Sequence, residues 1–119
     1  MDGRLVFRQL GSDLTLVLPS TQESRLKPYV HTQISLGVRP EHIYARKPAG
    51  VETLSSFTAN INVVEPVGNE TFVYFSTGTD EQYVARLATD TPPDAGKPFE
   101  LLFDTSRIYF FDKVTEQTI

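Results

Sequence analysis

Apolar and polar side chains alternate along most of this chain with a period of two, the spacing of strands packed on one face. Leu5-Val6-Phe7 predicts a short opening strand, ended by the turn residues Gly11-Ser12-Asp13. Leu14, Leu16 and Leu18 then alternate with Thr15 and Val17, which places the three leucines on one face, and Pro19-Ser20 stops the run. The polar stretch Thr21 to Tyr29 has room for one helical turn, kept short by Pro28. Ile34, Leu36 and Val38 resume the alternation, and Arg39-Pro40-Glu41-His42 closes it. Beyond the loop Lys47-Pro48-Ala49-Gly50 comes the clearest strand. Phe57, Ala59, Ile61 and Val63 are expected on one face, with Thr58, Asn60 and Asn62 on the other. Pro66 has no N–H for a ladder and confines that end to an edge or a bulge. Gly68-Asn69 predicts a hairpin turn into Thr71 to Phe75, and Gly78-Thr79-Asp80 a second turn into Tyr83 to Leu87. A stiff loop from Thr91 to Gly96 precedes two last strands, Phe99 to Phe103 and Ile108 to Phe111.

Composition sharpens this to an all-β chain. Thirteen Thr, 11 Val, 5 Ile, 8 Phe and 5 Tyr outweigh 6 Ala, and β-branched and aromatic side chains suit a pleated surface. About eight to ten short strands at turn-punctuated spacing make a small closed or partly open barrel. One domain accounts for 119 residues. The absence of cysteine removes disulfides and Cys-based zinc sites. A net charge of -4 argues against nucleic acid as a partner, since nucleic-acid binders carry a basic footprint. No apolar run is long enough for a membrane helix, and Arg4, Arg8 and Gln9 interrupt the start as a signal peptide. A cytoplasmic protein is the default expectation.

Reactive chemistry finds no supporting string. A phosphate loop needs Gly-x-x-x-x-Gly-Lys-Ser/Thr ahead of a helix, whereas Gly96-Lys97 precedes Pro98 and a strand, as a surface turn does. His31 and His42 each lack a second ligand at metal-binding spacing. Ser55-Ser56 and Ser106 sit in no nucleophile elbow, and Asp80-Glu81 reads as a solvated turn. Phe72 and Tyr74 share a face without basic flanks, so core packing is expected of them rather than base stacking. The chain is therefore read as having no catalytic residue, no cofactor and no metal site.

Two strings carry more information: Leu36-Gly37-Val38-Arg39-Pro40-Glu41-His42-Ile43 and Val63-Val64-Glu65-Pro66-Val67-Gly68-Asn69-Glu70-Thr71. Together they resemble the C-terminal regulatory region of ATP-binding subunits of maltose-type and glycerol-3-phosphate-type ABC importers, the TOBE (transport-associated OB) domain. There the strings read Leu-Gly-Ile-Arg-Pro-Glu-His and Val-Glu-x-Leu-Gly-x-Glu. Asp2-Gly3, Leu16 to Pro19, Tyr83 to Leu87, Gly96, Phe99 to Phe103 and Ile108 to Asp112 extend the resemblance over nearly the whole chain. Three departures stand out. Tyr109 replaces a usual His, Glu116 replaces a hairpin Gly, and His31-Thr32 lacks the glycine that commonly precedes the first string. Glu116 suggests a wider or frayed final turn, because a non-glycine residue at positive φ costs about 1–2 kcal/mol.

The resemblance implies an OB-fold-like barrel of short antiparallel strands with Greek-key connections. It also implies a non-catalytic regulatory and dimerisation role, tethering an ATPase dimer and receiving regulatory input. Residues 1–119 would be a single such domain, excised from a longer subunit whose nucleotide-binding domain is absent, with Met1 an added start codon. ATP and Mg²⁺ would be handled by that parent. Arg39, Pro40, Glu41 and His42, with Gly68, Asn69 and Glu70, become candidates for the dimer or regulator surface. Implied partners are a second subunit, the transporter's membrane subunits and a regulatory protein or small-molecule ligand, at the inner face of the cell membrane. Bottom-up, Gly68-Asn69-Glu70 remains foremost a hairpin turn. The alternative function is a stand-alone oxyanion (molybdate-like) carrier of the same barrel family.

Overall fold

The computed structural model describes residues 5–12, 14–88 and 92–119. Asp2-Gly3, Asp13 of the first turn and Thr91 of the Pro-rich loop lie outside the described residues. Among the described residues nine strands dominate the regular structure: β1 (Val6–Arg8), β2 (Thr15–Val17), β3 (Ile34–Gly37), β4 (Ile43–Tyr44), β5 (Leu54–Val67), β6 (Glu70–Ser76), β7 (Gln82–Leu87), β8 (Pro98–Asp104) and β9 (Tyr109–Asp112). A single α-helical turn, Glu23–Leu26, is flanked by 3₁₀ turns, the second of which takes Pro28 near its start.

Five strands form one antiparallel sheet in the order β4-β8-β5-β6-β7, while β1-β2 and β3-β9 are separate two-stranded ladders. After β7 the chain crosses back so that β8 inserts between β4 and β5, a Greek-key kind of return. The sheet curls until its edges β4 and β7 approach each other without pairing, giving a partly open OB-like barrel.

Alternation decides what fills it. Ala59, Ile61, Val73, Phe75, Ala85, Leu87, Leu101 and Phe103 point inward, and Leu14, Leu16 and Leu18 close the core from the β1-β2 side. Phe75 is the centre of this packing, stacked on Tyr83 at 5.5 Å between ring centroids and edge-on to Phe103 at 6.3 Å. Asp104 caps the turn between β8 and β9. Its Oδ1 accepts from Thr53 Oγ1 at 2.9 Å, Ser106 N at 3.1 Å and Ser106 Oγ at 2.7 Å. Burial pushes this carboxyl up, but the hydrogen bonds from Ser106 and Thr53 outweigh it and hold the group below the usual Asp range.

Four expectations are corrected. Val63 does not share the inner face. A β-bulge shifts the register from Ile61↔Phe75 to Val63↔Tyr74, so Val64 packs on the core and Val63 is exposed. Phe72 and Tyr74 are not core residues; Thr71, Val73 and Phe75 take the inner positions and leave the two rings half-buried outside. The basic neighbour missing from their sequence flanks comes from the next strand, where Arg86 pairs opposite Phe72. Finally, the terminal turn is not frayed. Glu116 adopts φ +63°, its N–H donates to Asp112 O at 2.7 Å, and Asp112 N–H donates to Gln117 O at 2.9 Å. His31, at φ +65°, likewise takes the backbone region that a glycine would occupy more cheaply.

Pro66 behaves as expected. β8 pairs with β5 only from Leu54 to Asn60, so beyond the bulge β5 has β6 alone as a ladder neighbour and Pro66 faces an edge.

Candidate functional site

The two sequence strings sit on different elements that the curled sheet brings together. The first begins in β3, where Gly37 pairs with Tyr109 of β9. A Cβ on Gly37 would lie 3.0 Å from Phe111 Cε2, so the glycine admits the neighbouring ring. Pro40 then holds Arg39 extended at φ -78°, ψ 143° and opens a 3₁₀ turn, Pro40–His42. The second string ends in the β5-β6 hairpin, where Val67 pairs with Glu70 across Gly68-Asn69 and Gly68 has φ +64°.

Both meet at the seam between β4 and β7. A cleft of about 920 Å³ there is lined by Glu41 from the first string and by Gly68, Asn69 and Glu70 from the second. Arg86 of β7 stands between the acids. Its Nε lies 3.5 Å from Glu70 Oε2, with both side chains substantially exposed. Glu41 sits below the usual carboxylate range, first because its own backbone N–H donates to it; partial desolvation opposes this, and the nearby charges of Arg86, His42 and Arg39 help to hold the group down. The segment Tyr44 to Pro48 forms the other wall, carrying Arg46 and Lys47. The cleft thus offers alternating charges around an apolar floor that includes Ile43 and Leu87.

The remaining candidates take other positions. Arg39 turns away from the cleft and lies over the Tyr109 ring, 5.4 Å from its centroid, so the Tyr in place of the family's His supplies a cation–π partner. His42 ends the turn, and its Nδ1 is buried with no hydrogen-bond partner among the described residues. Pro40 acts through the backbone alone. The residue that sequence reasoning passed over is Arg86. Period-two alternation places it opposite the inward Ala85 and Leu87, but its meeting with Glu70 depends on the β6-β7 register.

A profile of the TOBE domain matches residues 36–111, from the first string through β9. This chain belongs to the TOBE domain family. Among relatives of this TOBE domain, YurJ, an uncharacterized ABC transporter ATP-binding protein of Bacillus subtilis (strain 168), is 36% identical over 98% of the chain, a match covering 32% of YurJ. SmoE of Agrobacterium fabrum (strain C58), a sulfoquinovosyl glycerol transport ATP-binding protein, is 30% identical over 98% of the chain and 30% of its own length. MsmX of B. subtilis, an oligosaccharides import ATP-binding protein, is 33% identical over 80% of the chain and 26% of its own length. The chain spans about a third or less of each of these relatives. The expected fold and family are borne out together: an OB-like β domain of the kind carried by ABC transporter ATP-binding proteins.

Proposed function

We propose that this TOBE domain is the C-terminal regulatory and dimerisation part of an ATP-binding subunit of a carbohydrate-type ABC importer. The observation that carries the proposal is the convergence of Glu41, Glu70 and Arg86, from three separate elements, on one exposed cleft. The names of SmoE and MsmX, which concern sulfoquinovosyl glycerol transport and oligosaccharides import, favour a carbohydrate importer over an oxyanion carrier.

The action is mechanical. A barrel that pairs with its twin holds two motor domains at a high effective concentration while they open and close. A regulator that prefers one arrangement of the pair tenfold needs about 1.4 kcal/mol of differential binding. Glu41, Glu70 and Arg86 supply charge complementarity that sets register, and Arg39, fixed on Tyr109, stiffens the turn that presents Glu41. ATP and Mg²⁺ are handled by the motor domain of the parent subunit, and this domain takes no part in the chemistry. In the assembled importer the domain lies on the cytoplasmic side, attached to the membrane through its parent. Among the described residues no helix is long and apolar enough to cross a membrane.

The test removes this domain from the full subunit and compares the fraction of nucleotide-free dimer by sedimentation. A dimer that falls apart supports the tether. Unchanged dimer retention disproves it.

A further inference from the structure

A second groove shares no lining residue with the charged cleft. Period-two alternation on β5 points Ser56, Thr58 and Asn60 outward, opposite the inward Ala59 and Ile61. Glu100 of β8 pairs directly across from Thr58, so the four side chains share one outer face. They line a groove of about 760 Å³, within the usual size range of small-molecule sites. Among the described residues, none of the four side chains makes a hydrogen bond or ion pair within the protein. Their polar atoms are free for a ligand.

The facing wall is fixed in place. Two turns form it, at Gly11-Ser12 and at Thr77-Gly78, and a single amide ties them together. Gln9 Oε1 accepts from Ser12 Oγ at 2.6 Å and also from Thr77 Oγ1, while Gln9 Nε2 donates to Tyr83 OH at 2.7 Å. Gly78 has φ +105°, and a Cβ there would stand 3.4 Å from Ser12 Cβ, so the turns are in close contact. A wall held this way loses little further freedom on binding.

We propose that this groove binds a neutral polyhydroxylated molecule, a sugar or polyol. Hydroxyl and amide side chains both donate and accept, which matches a ligand whose groups do the same. A carboxylate such as Glu100 accepts from adjacent hydroxyls, and neutral hydroxyls carry no charge for it to repel. No Lys or Arg is among the lining residues, so an anion finds no counter-charge there. The inference rests on the groove alone. Failure of the tether reading leaves it standing, and its own failure leaves the tether untouched.

The experiment titrates the isotopically labelled 119-residue chain with maltose, sorbitol, sodium sulfate and choline chloride, following backbone amide shifts. Maltose or sorbitol at millimolar concentration is expected to move the amides of Ser56, Thr58, Asn60, Glu100 and Gly78, with sulfate and choline leaving them in place. Asn60→Ala and Glu100→Gln change exposed side chains, so thermal melts should match the parent, while each weakens polyol binding about tenfold. The proposal is overturned if neither polyol shifts these residues, if sulfate or choline shifts them as strongly, or if both variants bind as the parent does.

Discussion

Removing the Asp104 carboxylate should destabilise the domain strongly for a single polar side chain. Asp104 is 4% exposed, and its Oδ1 satisfies three donors at once, from Thr53 and from the Ser106 backbone and hydroxyl. In Asp104→Ala, Ser106 is exposed and its groups return to water, which leaves the ordinary loss of a turn cap, about 1 kcal/mol. The Thr53 hydroxyl is part-buried and loses its acceptor, adding about 1 kcal/mol or slightly more. The sum of about 2–3 kcal/mol corresponds to a drop in Tm of about 10 °C for a domain of this size. Asp104→Asn keeps an oxygen acceptor and should lose roughly half as much. Acidity provides a second readout. Because the folded carboxyl lies below its unfolded pKa, its contribution is complete above about pH 4 and is lost as pH falls through the folded value. The Tm gap between wild type and Asp104→Asn should therefore narrow on acidification through that window. Calorimetric melts at a series of pH values test both points. An Asp104→Ala melt within about 2 °C of wild type, or a gap that stays constant into acid, would refute the reasoning.

Other outcomes follow from single contacts. Glu116→Gly relieves a positive φ and should raise stability by about 0.5–1 kcal/mol after the entropy of glycine is deducted, read as a higher Tm; an unchanged or lower Tm contradicts it. Gly37→Ala pushes a methyl into the Phe111 ring edge and should cost about 1–2 kcal/mol, measured by urea unfolding. Arg86→Ala removes an exposed ion pair and should change domain stability by less than about 1 kcal/mol, yet weaken dimer retention of the full subunit. Calorimetric titration with molybdate should give no heat at millimolar concentration, and binding heat would revive the oxyanion-carrier reading.

The core was legible because its signal is local. Leu14, Leu16 and Leu18, and likewise Phe57, Ala59 and Ile61, reveal their face by alternation alone. That rule fails at Val63, since one extra residue in β5 at the bulge inverts the face, and no residue at Ile61-Asn62-Val63 marks the inversion. Phe72 and Tyr74 were misplaced for a related reason. Their composition looks like core, but Val73 and Phe75 already fill the inside, and only the fold decides which alternate set turns inward. Of the site, the stiff Arg39-Pro40-Glu41 turn and the Gly68-Asn69 hairpin were legible from their own residue types. Their meeting in one cleft was not, because it depends on β4 curling towards β7. Arg86 and Gln9 act through contacts long in sequence, the second across 68 and 74 residues, which no local pattern encodes. Glu116 shows the opposite limit. The strain at that position was visible, but the hydrogen bonds to Asp112 O and from Asp112 N–H that keep the turn closed were not.

Hydrogen–deuterium exchange on the full nucleotide-free subunit tests the central claim most directly, by comparing the dimer with a sample diluted to monomer. Slower exchange in the dimer is expected at 40–48, 68–71 and 86–88, the three segments around the cleft. Protection confined to other faces of the barrel, or identical exchange in dimer and monomer, would contradict the assignment of this cleft as the contact that holds two motors together.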